Sequence, residues 1–600
     1  MGSEFNPYFI LILLLTLFVP VLVMPHVVDN AFNTPKTLLI LIGVSLMVGI
    51  YCFCFLRGRP VLRPTIVTTN IILFLIIFNF ISFFYTKNPY FTSKAIILNI
   101  SCLLLFYFIS IYTDERRAFL LIIASALSGL LVAIISWLQF FDIHILIRWA
   151  SPGEMIMGTI GNSNYLGAYL IFPLFSMAGL IFLLKGRLRL IPALLFVFIM
   201  GAFLFSGARA GWFGFFLTFP FFLWLLKRIH GISISAYIRS RKRQAAGCLI
   251  VLLAILMLLW FAAPKRFNKM MNPRKVFGSE TLRLRLTKYF PPSIWLFKQS
   301  PIYGTGLWSY RNMVYKAQAE INRANPGFFE NYDSPKPRRV HNEYLEILND
   351  GGLVGAAALF LFLALVMAHG WYSIKDEKVR SQDKVVIAIC FCSIIAIMLT
   401  SFFFFSFRVN STMFMTVLMM GLMEGAYLRY QGLISKTKGQ ASMTSTVMIP
   451  MLFLLLTGII WYAGIRPYRG EREHFQYRRV LVRGDIKGAE RHILKAIFYD
   501  PHNSAYHLYA GQLYMNLFKD YVKAGDFVER AITDFNGNIT LWSAWFIKGL
   551  VKFRMGSVLE ARKAFKKSLY YNPTFQPAQQ QLAKVEKVLE EHDSVMIKLK

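Results

Sequence analysis

Long apolar runs, separated by short polar connections, fill the first three quarters of the chain. About thirteen of these runs reach the roughly 20 residues that a helix needs to cross the hydrocarbon core of a bilayer. They lie near residues 8–24, 36–56, 65–84, 93–112, 118–141, 165–184, 189–206, 209–226, 244–263, 351–372, 384–406, 410–428 and 447–464. The pattern predicts an all-α, polytopic transmembrane domain over residues 1–465.

Composition and the placement of charge agree with this prediction. The 600 residues are 56% hydrophobic and include 56 phenylalanines, which is not the profile of a soluble globular chain. The net charge of +34 could indicate a nucleic-acid partner. However, lysine and arginine collect in alternate short loops, with about 21 on one side of the spans against about five on the other. We therefore expect a cytoplasmic N-terminus and no nucleic-acid partner.

With this orientation, four parts of the chain face away from the cytoplasm: segment 142–164, the turn 206–209, the large loop 264–350 and the tail after residue 465. All six cysteines lie within predicted spans. The exported parts are therefore expected to hold together without disulfides, and no zinc-ligand spacing is present. The chemistry of the protein is sought in these four parts.

The tail, residues 466–600, is charged and tyrosine-rich and has a helical period. The pattern Ala489, Ile493, Ala496, Pro501 recurs about every 35 to 37 residues, which matches the second helix of tetratricopeptide repeats. Gly511 falls at a close-packing position of a first helix. We predict three helix pairs. They form either a scaffold that stabilises the exported end or a docking surface for an acceptor protein or partner.

The stretch RRVHNEYLEILNDGGLVG, residues 338–355, precedes the tenth predicted span. His341, Tyr344, Leu345, Leu348 and Gly352 share one face at helical spacing, which predicts a short amphipathic helix that starts at His341. Taken alone, the histidine would be a structural hydrogen-bonding group, and the neighbouring pair Arg338 and Arg339 would contact solvent or lipid headgroups.

Three other outward stretches carry polar residues at the same level of the membrane. GTIGNSNYLGAYL (158–170) contains Asn162 and Asn164 at the start of the sixth span, where asparagine can also act as a helix cap. SGARAGW (206–212) places Arg209 at the hydrocarbon boundary, where an ionisable side chain is costly unless it snorkels to the surface. The segment 283–310 opens with Arg283 and Arg285.

These elements together resemble the O-antigen ligase and polymerase superfamily, which includes bacterial protein O-oligosaccharyltransferases. The resemblance spans residues 150–360. Its strongest part is the signature Pro301-x-x-Gly304-x-Gly306 followed by His341-Asn342-x-Tyr344-Leu345 and Gly352-Leu353-x-Gly355. The family's loop helix opens with an arginine that normally precedes tryptophan by four residues. Here Arg285 with Tyr289 fits that spacing best, and Arg283 is the alternative. Pro291-Pro292 within the expected helix departs from the pattern.

The resemblance implies an inverting, metal-independent glycosyltransferase of the integral-membrane (GT-C) type. It would act at the outer face of a bacterial cytoplasmic membrane with an undecaprenyl-pyrophosphate glycan as donor. The expected catalytic residues are His341, Arg285 and Arg209. The expected substrate-binding residues are Arg283, Arg338, Arg339, Asn162, Asn164, Asn342 and Tyr344.

The residue types suit this chemistry. Arginine holds a departing diphosphate by planar, charged hydrogen bonding, and histidine can take up the proton of an attacking hydroxyl. The acidic residues of the outer parts (Glu154, Glu280, Glu330, Asp333 and Glu343) are scattered along the sequence. We therefore expect neither a metal nor another cofactor.

Several functions remain open from the sequence. The repeat-like tail favours a protein acceptor, whereas a ligase acting on a lipid A-core sugar and a polysaccharide polymerase share the same machinery. A transporter or flippase for lipid-linked glycans belongs to another class and would place charged residues near span centres. A noncatalytic scaffold is a third class, and it would tolerate replacement of His341 together with Arg285.

Overall fold

The computed structural model describes residues 6–64, 66–143, 156–231, 283–329, 339–438, 457–534 and 540–598, with residue 145 and isolated positions within 246–267 and 451–455. Eleven helices coincide with predicted apolar runs: α1 Pro7–Phe18, α2 Thr34–Leu56, α3 Ile66–Tyr85, α4 Pro89–Tyr112, α5 Glu115–Phe140, α6 Ser163–Leu183, α7 Leu190–Phe205, α8 Arg209–His230, α11 Glu343–Lys375, α12 Ser381–Ser401 and α13 Asn410–Tyr430. The predicted runs 244–263 and 447–464 fall largely outside the described residues.

Within the described residues, nine helices are long and apolar enough to cross a membrane, and α1 and α3 are shorter apolar helices. Polar caps fix where several of them begin. Asn88 accepts a hydrogen bond from the Phe91 amide at the start of α4, and Asp114 accepts one from Arg117 at the start of α5. The prediction of an all-α polytopic membrane protein is confirmed.

The two ends of the helix bundle differ in what covers them. The carboxy-terminal helices pack on one end, which we call the tail end. The opposite end carries a short antiparallel ribbon that the sequence pattern did not predict, formed by β1 Pro60–Pro64 and β2 Ile434–Lys438. An ion pair between Arg429 and Glu115, 3.2 Å long, also lies at the opposite end.

Within residues 283–329, the connection between α8 and α11 forms two α-helices at the tail end, α9 Phe290–Gln299 and α10 Tyr310–Ala324. The glycine turn between them docks on α11. The Thr305 amide donates to the Asn349 carbonyl at 2.7 Å, and the Leu353 amide donates to the Pro301 carbonyl at 2.8 Å. These bonds satisfy backbone groups that α11 leaves open at its kink.

Glycine is required at both sides of this contact. Gly352 has φ 60° and ψ −161°, which interrupts α11, and a Cβ there would lie 2.3 Å from the Ile302 carbonyl oxygen. Gly304 has φ +74°, and its Cβ would lie 2.5 Å from the Asp350 carbonyl oxygen. The two halves of the glycine signature are therefore one structural unit, which sets the position of α9 relative to α11.

Seven further helices form the tail: α14 Arg466–Val482, α15 Ile486–Tyr499, α16 Ser504–Leu513, α17 Tyr521–Thr533, α18 Trp542–Arg554, α19 Val558–Tyr571 and α20 Gln576–Lys598. Consecutive helices pack as the pairs α14–α15, α16–α17 and α18–α19. Ala489, Ile493 and Ala496 are fully buried in the first pair. Whether these pairs are tetratricopeptide repeats stays a prediction.

The tail contacts both the membrane bundle and the loop helix α10. Asp29 accepts hydrogen bonds from His474 and Arg478. Tyr90 donates to Asp500 at 2.6 Å. Farther along, Tyr571 packs with Tyr310 and Val314 of α10 in one hydrophobic cluster. The tail therefore supports α10, the loop helix that follows the glycine turn, in addition to the bundle itself.

Candidate active site

Arg285 opens a single π-helical turn, Arg285–Tyr289, directly before α9. Pro291 and Pro292 fall in the first turn of α9, where proline is tolerated because the amide would have no intrahelical partner. The departure from the family pattern is therefore compatible with a helix here. The turn directs Arg285 inward: its Nε is buried and has no hydrogen-bond partner within the described residues.

Arg209 is the first residue of α8, so the short turn after α7 delivers it to the same place. Burial, and then the positive charge of Arg209, lower the pKa of Arg285. Two guanidinium groups from distant parts of the sequence are thus close enough to repel each other. Such an arrangement is unfavourable by itself and favours an anion between or beside the two groups.

His341 lies in the same place, in a left-handed backbone conformation with φ 59°. That conformation is strained for a residue other than glycine, and strained residues concentrate at functional sites. Its ring stacks on Tyr289, with centroids 5.0 Å apart and planes at 19°, and meets the edge of Phe405 at 5.1 Å. The aromatic residue four positions after Arg285 therefore holds the predicted catalytic histidine.

Electrostatics keep this imidazole neutral. Burial, followed by the charge of Arg285, lowers the pKa of His341 to about 4, against an opposing effect of Glu346. At neutral pH the ring is unprotonated and can accept a proton. We call Arg209, Arg285 and His341 the cation pocket. It brings together all three residues that the sequence analysis expected to be catalytic.

The other expected residues take different positions. Asn162 caps α6, and its Oδ1 accepts from the Asn164 amide at 2.9 Å, while Asn164 itself is exposed. Arg283 is also exposed, so Arg285 is the arginine that faces His341. Arg338 lies outside the described residues. For each of these residues substrate binding stays a prediction.

Asn342, Tyr344 and Arg339 have partners within the protein. Asn342 caps α11 by accepting from the Leu345 amide, and its Nδ2 donates to the Phe402 carbonyl at 3.0 Å. The Tyr344 hydroxyl donates to the Met398 carbonyl at 2.7 Å. Arg339 pairs with Glu346. These contacts hold the segment that carries His341, and any contact with substrate stays a prediction.

The expected start of the helix was wrong. The helix α11 begins at Glu343, after His341, and its buried residues include Glu343, Glu346 and Asp350. Burial of three carboxylates is possible because a guanidinium, that of Arg408, lies among them. Glu343 was therefore also wrongly counted among scattered acids. We call these carboxylates with Arg408 and Arg339 the charge cluster.

Sequence reasoning also missed the part of the site that follows α12. Residues 402–408, which we call the phenylalanine segment, join α12 to α13. In this segment Phe405 contacts the His341 ring, and Phe404 packs on Tyr165 at 5.3 Å. An arginine next to a run of phenylalanines between two spans was the available signal, because such a charge is costly without partners.

Comparison with known families bears on this site. Residues 194–360 match the family model described as O-antigen ligase. The chain carries an O-antigen ligase domain. The match contains the whole cation pocket, since it runs from α7 to the middle of α11. The phenylalanine segment lies beyond the matched residues.

Membership of this domain in the O-antigen ligase and polymerase superfamily confirms the resemblance stated from the sequence. The match supports glycosyltransferase activity of the O-antigen ligase or polymerase type in a multi-pass membrane protein. This family implies a lipid-linked glycan and an acceptor as substrates.

No curated protein matches the whole chain or any part of it. Among solved structures, the first tetratricopeptide domain of Spaghetti (RPAP3), bound to an HSP90 peptide, matches 20% of this chain and 94% of its own at 19% identity. The TM-score is 0.19, so the match carries no argument about the tail of this chain.

Proposed function

We propose that this protein transfers a glycan from undecaprenyl pyrophosphate to a hydroxyl group of an acceptor protein at the outer face of the cytoplasmic membrane. The observation that carries the proposal is the cation pocket. Arg285 brings a buried, unpartnered Nε beside a second guanidinium, and Arg285 also lies close to a neutral imidazole. This combination suits a reaction in which a diphosphate departs and a hydroxyl loses a proton.

In the proposed reaction the acceptor oxygen attacks the anomeric carbon while the bond from that carbon to the phosphate oxygen breaks. The electron pair of this bond leaves with the lipid diphosphate, and the hydroxyl proton passes to His341. Arg285 and Arg209 stabilise the charge that develops on the leaving diphosphate. A single displacement of this kind inverts the anomeric configuration, which nuclear magnetic resonance of the product would establish.

Repulsion between the two arginines favours binding of the donor's diphosphate. The two guanidinium groups repel each other while the pocket is free of substrate, and a diphosphate removes that repulsion. No group of three or more histidine, cysteine or carboxylate side chains suited to a metal ion occurs within the described residues. Metal independence is part of the proposal: chelation should leave activity intact, and restoration by magnesium after chelation would contradict it.

A protein acceptor is favoured by the way the tail meets the pocket's surroundings. The tail contacts α10 through Tyr571, and α10 follows the glycine turn that docks on α11, the helix that begins two residues after His341. A polypeptide bound to the tail would thus lie on the same structural unit as the catalytic residues. Lipid A-core sugars and growing polysaccharide are the alternative acceptors of the same reaction.

The test uses purified protein, an undecaprenyl-pyrophosphate glycan and three separate acceptors: a candidate acceptor protein, a lipid A-core sugar, and no acceptor. Mass spectrometry should find the glycan mass added to the protein. Addition to the core sugar alone identifies a ligase, and a lengthened lipid-linked chain identifies a polymerase. Movement of the glycan lipid across reconstituted vesicles without any transfer would favour a flippase and overturn the proposal.

A further inference from the structure

Arg408 is the centre of the charge cluster and is almost completely buried, with 8% of its side chain exposed. Its Nε lies 2.9 Å from Glu343 and 3.4 Å from Glu346, and its Nη1 lies 2.8 Å from Asp350. Three carboxylates on successive turns of α11 thus share one guanidinium. A planar group with donors in fixed directions can meet all three at once, which a lysine ammonium cannot do in the same way.

The charge cluster continues to the residues on both sides of His341. Glu346 accepts a hydrogen bond from the Val340 amide at 3.2 Å and pairs with Arg339 at 2.9 Å. Glu343, which follows His341 in the sequence, accepts a hydrogen bond from the Phe407 amide at 3.2 Å. The backbone that leads into His341 and the phenylalanine segment are therefore bound to the same carboxylates.

The phenylalanine segment in turn contacts the imidazole. Phe405 meets the His341 ring at 5.1 Å, and the Phe402 carbonyl accepts from Asn342 at 3.0 Å. His341 has a strained backbone, which persists only where its surroundings determine it. Arg408 joins the two segments that provide those surroundings.

We propose that Arg408 is a positioning residue for glycosyl transfer: it ties α11 to the phenylalanine segment and thereby holds the His341 ring in place against Tyr289. This inference rests on the proposed function for its kinetic consequence, although the positioning itself is a property of the folded protein. Arg408 touches no substrate in this account. It acts through the segment that carries the general base.

Replacing Arg408 could lower activity simply by lowering the stability of the whole protein. The chain offers a matched control for this simpler explanation. Arg408 lies just before the start of α13, whereas Arg429 lies near the end of that helix and pairs with Glu115 at 3.2 Å. The two arginines are separated by about 30 Å along a helix of this length. Arg429→Gln also removes a buried arginine from an ion pair with glutamate, but at the end of the bundle away from His341.

The first experiment measures steady-state kinetics of lipid-linked glycan transfer for the wild type, Arg408→Gln and Arg429→Gln. We expect kcat to fall about 10²-fold in Arg408→Gln, the size of effect produced by misplacing a reacting group by about 1 Å. KM for the donor should change little, because the cation pocket keeps both arginines. Arg429→Gln should keep kcat within about threefold, and Arg408→Lys should recover part of the loss.

The second experiment needs no activity. Diethyl pyrocarbonate modifies neutral imidazoles, so the rate of modification at the peptide containing His341, followed by mass spectrometry, reports how tightly the ring is held. We expect faster modification in Arg408→Gln than in the wild type and no change in Arg429→Gln. If Arg408→Gln does not fold, the double variant Arg408→Gln with Glu343→Gln is used in its place, because it removes one charge of each sign.

The outcomes separate the two proposals. A wild type that transfers glycan to no acceptor overturns the proposed function, while the modification rates still judge Arg408. A wild-type kcat together with a wild-type modification rate in Arg408→Gln overturns the positioning inference. Equal losses in Arg408→Gln and Arg429→Gln would also overturn it, because they would show a general loss of stability.

Discussion

The cation pocket and the charge cluster both place arginine side chains beside His341, but they differ in what balances the positive charge. Within the described residues, the groups that shift the pKa of Arg285 are Arg209 and Tyr289, and its Nε has no partner. Arg408 instead meets three carboxylates. The same side chain type is thus suited to an anionic substrate where counter-charge is lacking and to a structural role where counter-charge is supplied.

The largest effect expected from this comparison is the loss of the general base. His341→Ala should lower kcat by about 10² to 10⁴, because positioned general-base help is worth that much. The protein should still fold, since the charge cluster continues to hold the start of α11. Both kcat and the thermal unfolding midpoint should be measured.

His492→Ala is a suitable control for that variant. His492 is a partly buried histidine that pairs with Glu473 at 2.7 Å in the tail, away from the cation pocket. It should keep full activity on an acceptor that does not dock on the tail. Retention of more than a tenth of the wild-type kcat in His341→Ala would sink the assignment of the base.

The next effect tests whether the arginine that lacks counter-charge is the one that binds the leaving group. Arg285→Lys keeps the charge but loses the planar donor pair, so kcat should fall about 10²- to 10³-fold, as when a preorganised donor to a developing anion is removed. The thermal unfolding midpoint of this variant should not fall, because the substitution removes no favourable ion pair.

Arg283→Lys, two residues earlier, is the matched control because Arg283 is exposed. It should keep activity within about threefold of the wild type, the range of a surface charge change. A greater loss in Arg283→Lys than in Arg285→Lys would mean that Arg283 contacts the diphosphate in the complex.

The same contrast explains how much of the site could be predicted from the sequence. The three members of the cation pocket were predictable, because each lies in a short motif whose residue type fits one step of the chemistry. The membrane helices were predictable as well, since apolar runs of the right length allow few other structures.

The charge cluster was not predicted, for a physical reason. The spacing of Glu343, Glu346 and Asp350 places them on one helix face, but the residue that permits their burial is Arg408, some sixty positions later in the chain. Helical spacing instead grouped Leu345 and Leu348 with His341 on one face. A buried polar network depends on long-range partners, and a pattern within one helix does not contain them.

A third, smaller effect concerns pH. The pKa of His341 is about 4 in the free protein because of burial and then Arg285. A bound diphosphate places negative charge beside Arg285, which should raise the pKa of His341 in the complex. Because a base is active only when unprotonated, activity is lost as pH falls through this pKa.

The two kinetic parameters report different states, so they should lose activity at different pH. The acid limb of kcat/KM, which reports the free enzyme, should lie near pH 4, and the acid limb of kcat should lie about one unit or more higher. With a difference of one unit, about half of the limiting kcat would remain at pH 5 while about nine tenths of kcat/KM remains, a difference of about twofold. Coincident limbs would contradict the placement of the diphosphate beside Arg285.

The smallest effect is expected where charges are balanced but partly exposed, at the contact between tail and bundle. Arg478 pairs with Asp29, and 65% of the Arg478 side chain is exposed, so Arg478→Gln should cost little stability by the measure of exposed ion pairs, about 0.2 to 1 kcal/mol. Transfer to a small hydroxyl acceptor should stay within about twofold of the wild type.

Transfer to a protein acceptor is the informative comparison for this variant. If the tail positions a polypeptide over the cation pocket, loosening its contact with the bundle should raise KM for the protein acceptor several-fold while kcat for the small acceptor stays unchanged. Glu586→Gln, which removes an exposed partner of Arg562 within the tail, is the control and should change neither. Equal effects on both acceptors would assign the tail to support of the bundle, because a docking surface must distinguish the acceptor that docks from the one that does not.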